Sequence, residues 1–402
     1  MLQRRLPDWI NAYLKFVEDT EPPRLYEKWG AISIIASVLE RKVWMIWDNK
    51  TFINLYIILV GPSGVRKTVT LDHAFDFVSA VDGLMLAPNS TSPRRLLSVM
   101  EDSYRDIPTQ SHGVIGQSAL TVWSEEFSVF LKYDNKDMIE LLTDFYDCKD
   151  NRNWVHETQH SGRNEIKNLW LNLLACTTPD ALQETLIMSA VGKGLGSRIT
   201  FVYADKPSKY IVFPFERFEK EFDLQLKNDL INDIQYIGTL LTGQFSFDPG
   251  FLNLYKRWYP EKAIINAPDY LKHPNFSGYL NRRAKHLLKL CMIFSVSGSN
   301  DLIIRPDDFN RAIALMDETE PLMPNVFGGI GEHALANVIY KVASLIREVK
   351  RISFDDLCTK FMYDCSDDDM SRRILPSLRK AKIVKKEPKI EGGKLIIELE
   401  DN

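Results

Sequence analysis

The chain has little cysteine, no long apolar run and no surplus of either charge. Its five cysteines, Cys148, Cys176, Cys291, Cys358 and Cys365, are scattered with no C-x-x-C pair. That argues against a disulfide framework and a structural zinc site, and points to a reducing compartment. No apolar stretch reaches the roughly 18 residues that a membrane helix needs, so no membrane partner is expected. The opening MLQRRLPDWINAYLKF lacks the unbroken apolar centre of a secretory signal, which leads to a cytoplasmic expectation. Lysine and arginine number 50 against 54 aspartates and glutamates, a net charge of −4, so any nucleic-acid surface has to be local. There is no low-complexity tract and no detectable repeat. The composition that is left, 45% apolar and 26% charged over 402 residues, is that of a soluble globular protein of two or three domains.

The most informative segment is Gly61-Pro62-Ser63-Gly64-Val65-Arg66-Lys67-Thr68, directly after the apolar run Leu55–Val60. A buried strand, a glycine turn and a Lys-Thr pair opening a helix form a phosphate cradle. Backbone N–H groups point into the turn, the helix N-terminus adds partial positive charge, the lysine reaches the outer phosphates and the threonine ligates Mg²⁺. ATP and Mg²⁺ are therefore the expected ligands, with all eight residues in the binding loop. The usual pattern places glycine before the lysine, where this chain has Arg66. The plainer alternative is an ordinary strand-turn-helix with a chance Lys-Thr.

Along the chain, residues 1–48 read as helical, with Trp9, Ile10, Tyr13, Leu14 and Val17 at helical spacing before the Pro22-Pro23 break. Buried strands are predicted at 55–60, 119–123, 169–176 and 199–203, alternating with helices. That implies an α/β fold with a mostly parallel sheet and ligand at the strand C-termini. A hairpin is predicted over 154–167, with Ser161-Gly162-Arg163 at its tip. From about residue 214 the pattern turns helical. The boundaries expected are 1–48 for the N-terminal helical segment, 49–245 for a P-loop ATPase core, 246–327 for a second helical region and 333–402 for a winged helix-turn-helix.

Several residues are candidates for chemistry. Glu125 and Glu126 end the second buried strand. There one carboxylate can complete a metal shell and the next can activate water; the alternative is a solvated acidic turn. Thr178 ends a later strand, where a polar side chain can sense the γ-phosphate, or can merely cap the next helix. Arg198 follows a glycine-rich turn and could reach a neighbouring subunit's phosphate. Arg282 or Arg283 could fold over the nucleotide. Arg163 and Lys167 on the hairpin, and Arg372, Arg373, Arg379, Lys385 and Lys386 near the C-terminus, are candidates for nucleic-acid phosphate. Against the last group, Asp367-Asp368-Asp369 opens the same helix, where carboxylates would repel a groove but make a good helix start.

Taken in order, these residues resemble the AAA+ ATPases, and among them the minichromosome-maintenance helicase branch. That branch also lacks glycine before the P-loop lysine. Ser124-Glu125-Glu126 stands where the family has Asp-Glu, and Cys176-Thr177-Thr178-Pro179 where its sensor asparagine precedes proline. Gly194-Leu195-Gly196-Ser197-Arg198 is similar to its arginine-finger segment, and Arg282 with Pro306-Asp307-Asp308 to its sensor arginine and helical lid. Where that branch has a large N-terminal collar, about fifty residues read as helical precede the predicted sheet here. Over roughly residues 20–320 the closer similarity is to phage and mobile-element P-loop proteins, many taken to be replicative helicases. The resemblance implies an AAA+/RecA-like P-loop core with a helical lid and a C-terminal winged helix. It implies a homohexameric ring that hydrolyses ATP and moves on single-stranded or forked DNA, with a primase or loader as a further partner. The location would be the host bacterial cytoplasm if the chain is phage-encoded. Two other readings stay open at this point: an ATP-switched origin-binding initiator or regulator with little unwinding, and an AAA+ loader or remodeler acting on a protein.

Overall fold

The apolar runs become the centre of a five-stranded sheet. A computed structural model of the chain describes residues 3–109, 113–132, 135–150, 153–158, 162–185, 194–213, 221–261, 267–271, 276–327, 336–381, 383–385 and 389–400. Contacts divide the chain into two compact units, Met1–Val326 and Phe327–Asn402. The N-terminal helices, the sheet and the helices up to residue 326 therefore belong to one unit.

The first unit opens with α1 (Trp9–Phe16), whose first turn is capped by the Asp8 carboxylate accepting from the Asn11 N–H at 2.8 Å. Helix α2 (Arg24–Leu39) is apolar around most of its circumference and buried along nearly its whole length, as such a helix must be. Strands β1 (Val43–Ile46) and β2 (Lys50–Phe52) pair antiparallel. The run β3 (Tyr56–Val60) is buried at every residue and feeds α3 (Lys67–Val78). Next come α4 (Pro93–Asp102), β4 (Tyr104–Thr109), β5 (Gly113–Ser124), α5 (Phe127–Leu131), α6 (Lys136–Phe145), the hairpin β6 (Trp154–Thr158) and β7 (Gly162–Ile166), β8 (Leu169–Thr177), α7 (Pro179–Thr185) and β9 (Ile199–Tyr203). After these follow α8 (Glu221–Leu240), the short strands β10 (Gly243–Gln244) and β11 (Ser246–Phe247), α9 (Pro249–Trp258), α10 (Ser277–Gly298), β12 (Ile303–Ile304) and α11 (Pro306–Thr319).

The main sheet has the order β4-β5-β8-β3-β9. The four strands β5, β8, β3 and β9 are parallel, and β4 runs antiparallel to the first half of β5. The expected α/β class and largely parallel sheet are present. Strand β4 was not foreseen, because Tyr104–Thr109 has no apolar face and contains Pro108. Proline suits an edge strand, which is where β4 lies. Val60 stands beside Thr177 on one side and Tyr203 on the other, while Tyr56 stands beside Ile199. The C-terminal ends of β3, β8 and β9 thus share one edge of the sheet, and the start of β9 lies at the opposite edge.

The second unit consists of α12 (Ala336–Val349), β13 (Arg351–Ser353), α13 (Phe354–Lys360), a helical run in three pieces (Asp367–Asp369, Met370–Ile374 and Leu375–Lys380), β14 (Lys389–Glu391) and β15 (Lys394–Glu398). Met370–Ile374 is a π-helical turn. Pro376 follows it, and its ring and missing N–H oppose a regular bond back to the carbonyl four residues earlier. Val342, Ile346, Leu357, Met370, Ile374, Leu378 and Ile397 form the core. The three strands make an antiparallel sheet in the order β13-β15-β14. Among the described residues no helix is long and apolar enough to cross a membrane.

Candidate functional site

The turn between β3 and α3 is built by close backbone approach. A Cβ on Gly61 would fall on the Ala204 carbonyl oxygen and within 2.6 Å of the Tyr26 hydroxyl, so only glycine fits. Tyr26 secures this corner by donating to the Val60 carbonyl at 2.7 Å and accepting from the Ala204 N–H at 3.1 Å. Gly64 has φ +85°, and Arg66 has φ +67° at the residue capping α3. The glycine of the usual pattern serves that left-handed position, and here an arginine occupies it. The Arg66 side chain turns outward, its Nε 2.5 Å from Glu21 Oε2. The other Glu21 oxygen accepts from the Ile211 N–H at 2.9 Å. Those two bonds, the backbone one foremost, hold the Glu21 carboxyl below its usual range.

Lys67 opens α3 and curls back over the turn, donating to the Gly61 carbonyl at 2.6 Å and the Pro62 carbonyl at 2.9 Å. Burial lowers the pKa of its ammonium, against the field of Glu126. The Thr68 side chain is exposed beside it, as are Pro62 and Ser63 of the loop, and Val65 is buried beneath.

Glu126 is half-buried and is held in place from two sides. Its Oε1 accepts from the Thr177 hydroxyl at 2.8 Å and from the Ser128 hydroxyl at 3.0 Å. Neither bond uses Oε2. Glu125 is exposed next to it. Cys176 lies in the field of Lys67, Glu126 and Glu125, and burial raises its thiol pKa. Lys67, Glu126 and Thr177 therefore gather at the C-terminal ends of β3, β5 and β8. Thr178 has a different task in this structure: its hydroxyl accepts from the Ala181 N–H at 3.3 Å and caps α7. Sequence reading left Thr178 either to sense a γ-phosphate or to cap the next helix; the cap is present, and it is Thr177 that contacts Glu126. The alternation of side chains along β8 was the available signal.

Arg198 lies at the other edge of the sheet, in a 3₁₀ turn (Gly196–Arg198) leading into β9. The five residues of β3 separate it from the turn at 61–68 by about 16 Å at ~3.3 Å per residue. Its guanidinium donates to Asp147 Oδ2 at 2.9 Å and to the Gly194 carbonyl at 2.9 Å. Its buried Nε–H finds no acceptor among the described residues. Arg282, from α10, donates to the other Asp147 oxygen at 3.3 Å. The two guanidinium carbons lie 5.9 and 6.0 Å from the Tyr146 ring centre. Burial works to raise the Asp147 pKa, but the two arginines outweigh it and hold the carboxyl below its usual range. Arg282 and Arg283, the two expected candidates for an arginine over the nucleotide, lie in different surroundings. Arg282 shares the Arg198 edge, and Arg283 is buried in a two-bond pair with Glu320 at 2.7 Å each.

The hairpin of β6 and β7 is docked rather than free-standing. Glu101 of α4 accepts from Asn164 Nδ2 at 2.6 Å and from the Glu165 N–H at 3.1 Å, and Trp154 Nε1 donates to Asp144 at 2.5 Å. Arg163 belongs to β7, but its side chain lies outside the described residues; Lys167 is exposed, its ammonium 5.8 Å from the Tyr104 ring centre. In the second unit, Arg372 pairs with Asp368 at 2.8 Å and Arg373 with Asp369 at 3.3 Å, while Arg379 Nε is buried with no acceptor among the described residues. Lys385 reaches Glu398 at 3.5 Å, and Lys386 lies outside the described residues. Compared with known proteins, the chain matches no family model and no curated sequence.

Proposed function

We propose that this chain is an ATPase of AAA+ type that works as a ring, most simply a homohexamer, and uses ATP hydrolysis to translocate on DNA. One observation carries the reading: Lys67, Glu126 and Thr177 meet at the ends of three parallel strands beside a glycine turn that admits no side chain at Gly61. The loop's N–H groups and Lys67 hold the phosphates, with Lys67 exchanging its bonds to the Gly61 and Pro62 carbonyls for phosphate oxygens. Thr68 and Glu125 are the exposed oxygen donors that would hold Mg²⁺, which supplies neutralisation of phosphate charge. Thr177 and Ser128 fix Glu126 through Oε1, and Oε2 is the oxygen left to take a proton from the attacking water. Water adds to the γ-phosphorus as the bond to the bridging oxygen breaks, and ADP leaves with that electron pair.

Arg198 and Arg282 cannot serve their own loop from the far edge of the sheet. They suit the phosphate of a neighbouring subunit, with Asp147 holding both until that phosphate competes for them. Of the two, Arg282 has the more exposed side chain, 27% against 10%. The test mixes subunits. Arg198→Ala and Glu126→Gln are each expected to abolish turnover alone, and Lys67→Ala to abolish nucleotide binding. Mixtures of the first two should regain hydrolysis at interfaces that pair an intact arginine with an intact glutamate. If no ratio recovers activity while Arg282→Ala mixtures do, the finger is Arg282. If neither does, the ring reading fails.

A further inference from the structure

We infer that Lys285 is the group by which the arginine edge first takes hold of a neighbouring subunit's triphosphate, in an open cleft beside Asp147 and before either arginine is released. This rests on the reading that the chain works as a ring with nucleotide between its subunits. The cleft has a volume of about 870 Å³. Trp44 and Lys50 of the β1–β2 hairpin form one wall, Asp147 and Asp150 after α6 a second, and Lys285 of α10 the third. Lys285 follows Arg282 by three residues on α10, so the two stand on one face of that helix.

The other charges around the cleft have partners. Asp147 gives one oxygen to Arg198 at 2.9 Å and the other to Arg282 at 3.3 Å. Asp150 holds Arg41 at 2.9 Å and Lys50 at 3.3 Å. Lys149 reaches Asp144 at 3.3 Å. Lys285 makes no hydrogen bond or ion pair among the described residues and acts on Asp147 through its field alone. Two carboxylates thus serve four cations, and Lys285 is added to them. Asp48 at the hairpin turn bonds its neighbour's N–H and leaves the positive excess in place. Two buried residues of the same helix register that excess. Lys289 is brought to about 7 and His286 to about 3, by burial first, with the charges of Lys285 and Arg282 adding to it. A terminal phosphate carries about −1.5 to −2 charge near neutral pH and three acceptor oxygens, against a single charge on a carboxylate. Its approach to Lys285 displaces nothing, whereas Arg198 and Arg282 each have to leave an Asp147 oxygen. The cations stand on the walls of one cleft rather than along a track, which suits a compact phosphate chain better than a nucleic-acid backbone.

The test follows assembly of the full chain by sedimentation, with and without a non-hydrolysable ATP analogue. Lys285→Gln should weaken the analogue-induced association about tenfold and leave association without nucleotide unchanged, while Lys285→Arg restores it. The analogue's affinity for the dilute, unassembled chain is set by that chain's own loop and should not move, which guards against a folding artefact. Analogue-induced association as tight in Lys285→Gln as in the parent overturns the inference and leaves the ring reading standing. So does an equal loss with and without the analogue, which would put Lys285 on a carboxylate of the neighbouring protein. So does a loss of DNA binding with analogue-induced association intact, which would make the cleft a nucleic-acid groove. A parent chain that never associates in the presence of the analogue overturns both.

Discussion

Arg66 offers the sharpest test of the phosphate loop, because two effects at this residue can be separated by two substitutions. Its backbone sits at φ +67°, a conformation that costs an L-residue about 1–2 kcal/mol. Its side chain makes a half-exposed pair with Glu21, of a kind worth about 0–1 kcal/mol. Arg66→Ala and Arg66→Gly both delete the pair, so their difference reports the backbone alone. Glycine removes the left-handed cost but gives back about 0.4–1 kcal/mol through the greater freedom of its unfolded chain. The glycine variant should therefore be the more stable by about 1 kcal/mol. Unfolding entropy is about 2.1 cal/mol/K per residue, or about 0.7 kcal/mol/K over the unit Met1–Val326, so that difference appears as about 1.5 °C in melting temperature.

Differential scanning fluorimetry on the two variants in parallel resolves such a shift. An alanine variant that melts at or above the glycine variant would refute the argument, because the strain at residue 66 would then be absent. The same samples address the role of the side chain. Arg66 points to Glu21 and away from the loop, so both variants should bind a non-hydrolysable ATP analogue within about threefold of the parent. The ligand-induced rise in melting temperature then stays the same. A common tenfold loss of affinity would put the guanidinium on a phosphate instead.

Three further outcomes are expected. Thr177→Val should lower kcat about tenfold with little change in KM, since it removes one of the two hydroxyls that hold Glu126 Oε1 without touching the turn at 61–68; Thr178→Val should instead cost about 1 kcal/mol of stability through the lost α7 cap. Steady-state kinetics beside thermal melts tells the two apart, and reversed effects would restore Thr178 as the residue facing the site. Gly61→Ala should destabilise the first unit by about 1–3 kcal/mol and abolish nucleotide binding, because its Cβ meets the Ala204 carbonyl and the Tyr26 hydroxyl; an alanine variant that binds nucleotide normally in a fluorescent-nucleotide titration would contradict the close approach. Burial, helped by the charge of Lys289, holds His286 down to about 3, whereas the unfolded chain titrates near 6.5. The unfolded state then takes up the proton first, so stability falls as pH drops from about 6.5 towards 3, by about 1.4 kcal/mol per unit. In melts taken across that range, His286→Phe should keep the stacking on Tyr279 and flatten this limb by one proton.

How much of this was legible in the sequence depends on the kind of signal. Strands β3, β8 and β9 are buried and mostly apolar runs, with Asn172 and Thr200 as interior polar exceptions, as a parallel sheet covered on both faces requires, and they were read almost to the residue. Strand β4 carries Arg105, Asp106 and Pro108 and exists because β5 extends past the sheet to pair with it, a cause that lies outside its own residues. The turn at 61–68 was legible because its backbone geometry demands glycine at Gly61 and Gly64. Arg66 was legible only as a deviation, since nothing local shows that Glu21, 45 residues earlier, accepts its side chain. Thr177 and Thr178 were indistinguishable by composition, and a register difference of one residue sends their side chains to different partners. Asp147 was passed over for a related reason. Its neighbours in sequence say nothing of Arg198 and Arg282, which reach it from 51 and 135 residues away. Yet Asp147 holds both guanidinium groups of the arginine edge, and as long as it does so they are matched within the chain. On the proposed function, the phosphate of a neighbour has to outcompete one carboxylate shared between two cations, which is a weaker hold than a private pair for each. Asp147→Asn should therefore loosen both arginines at once, and in the mixed-subunit assay it should change the two arginine sites together rather than one.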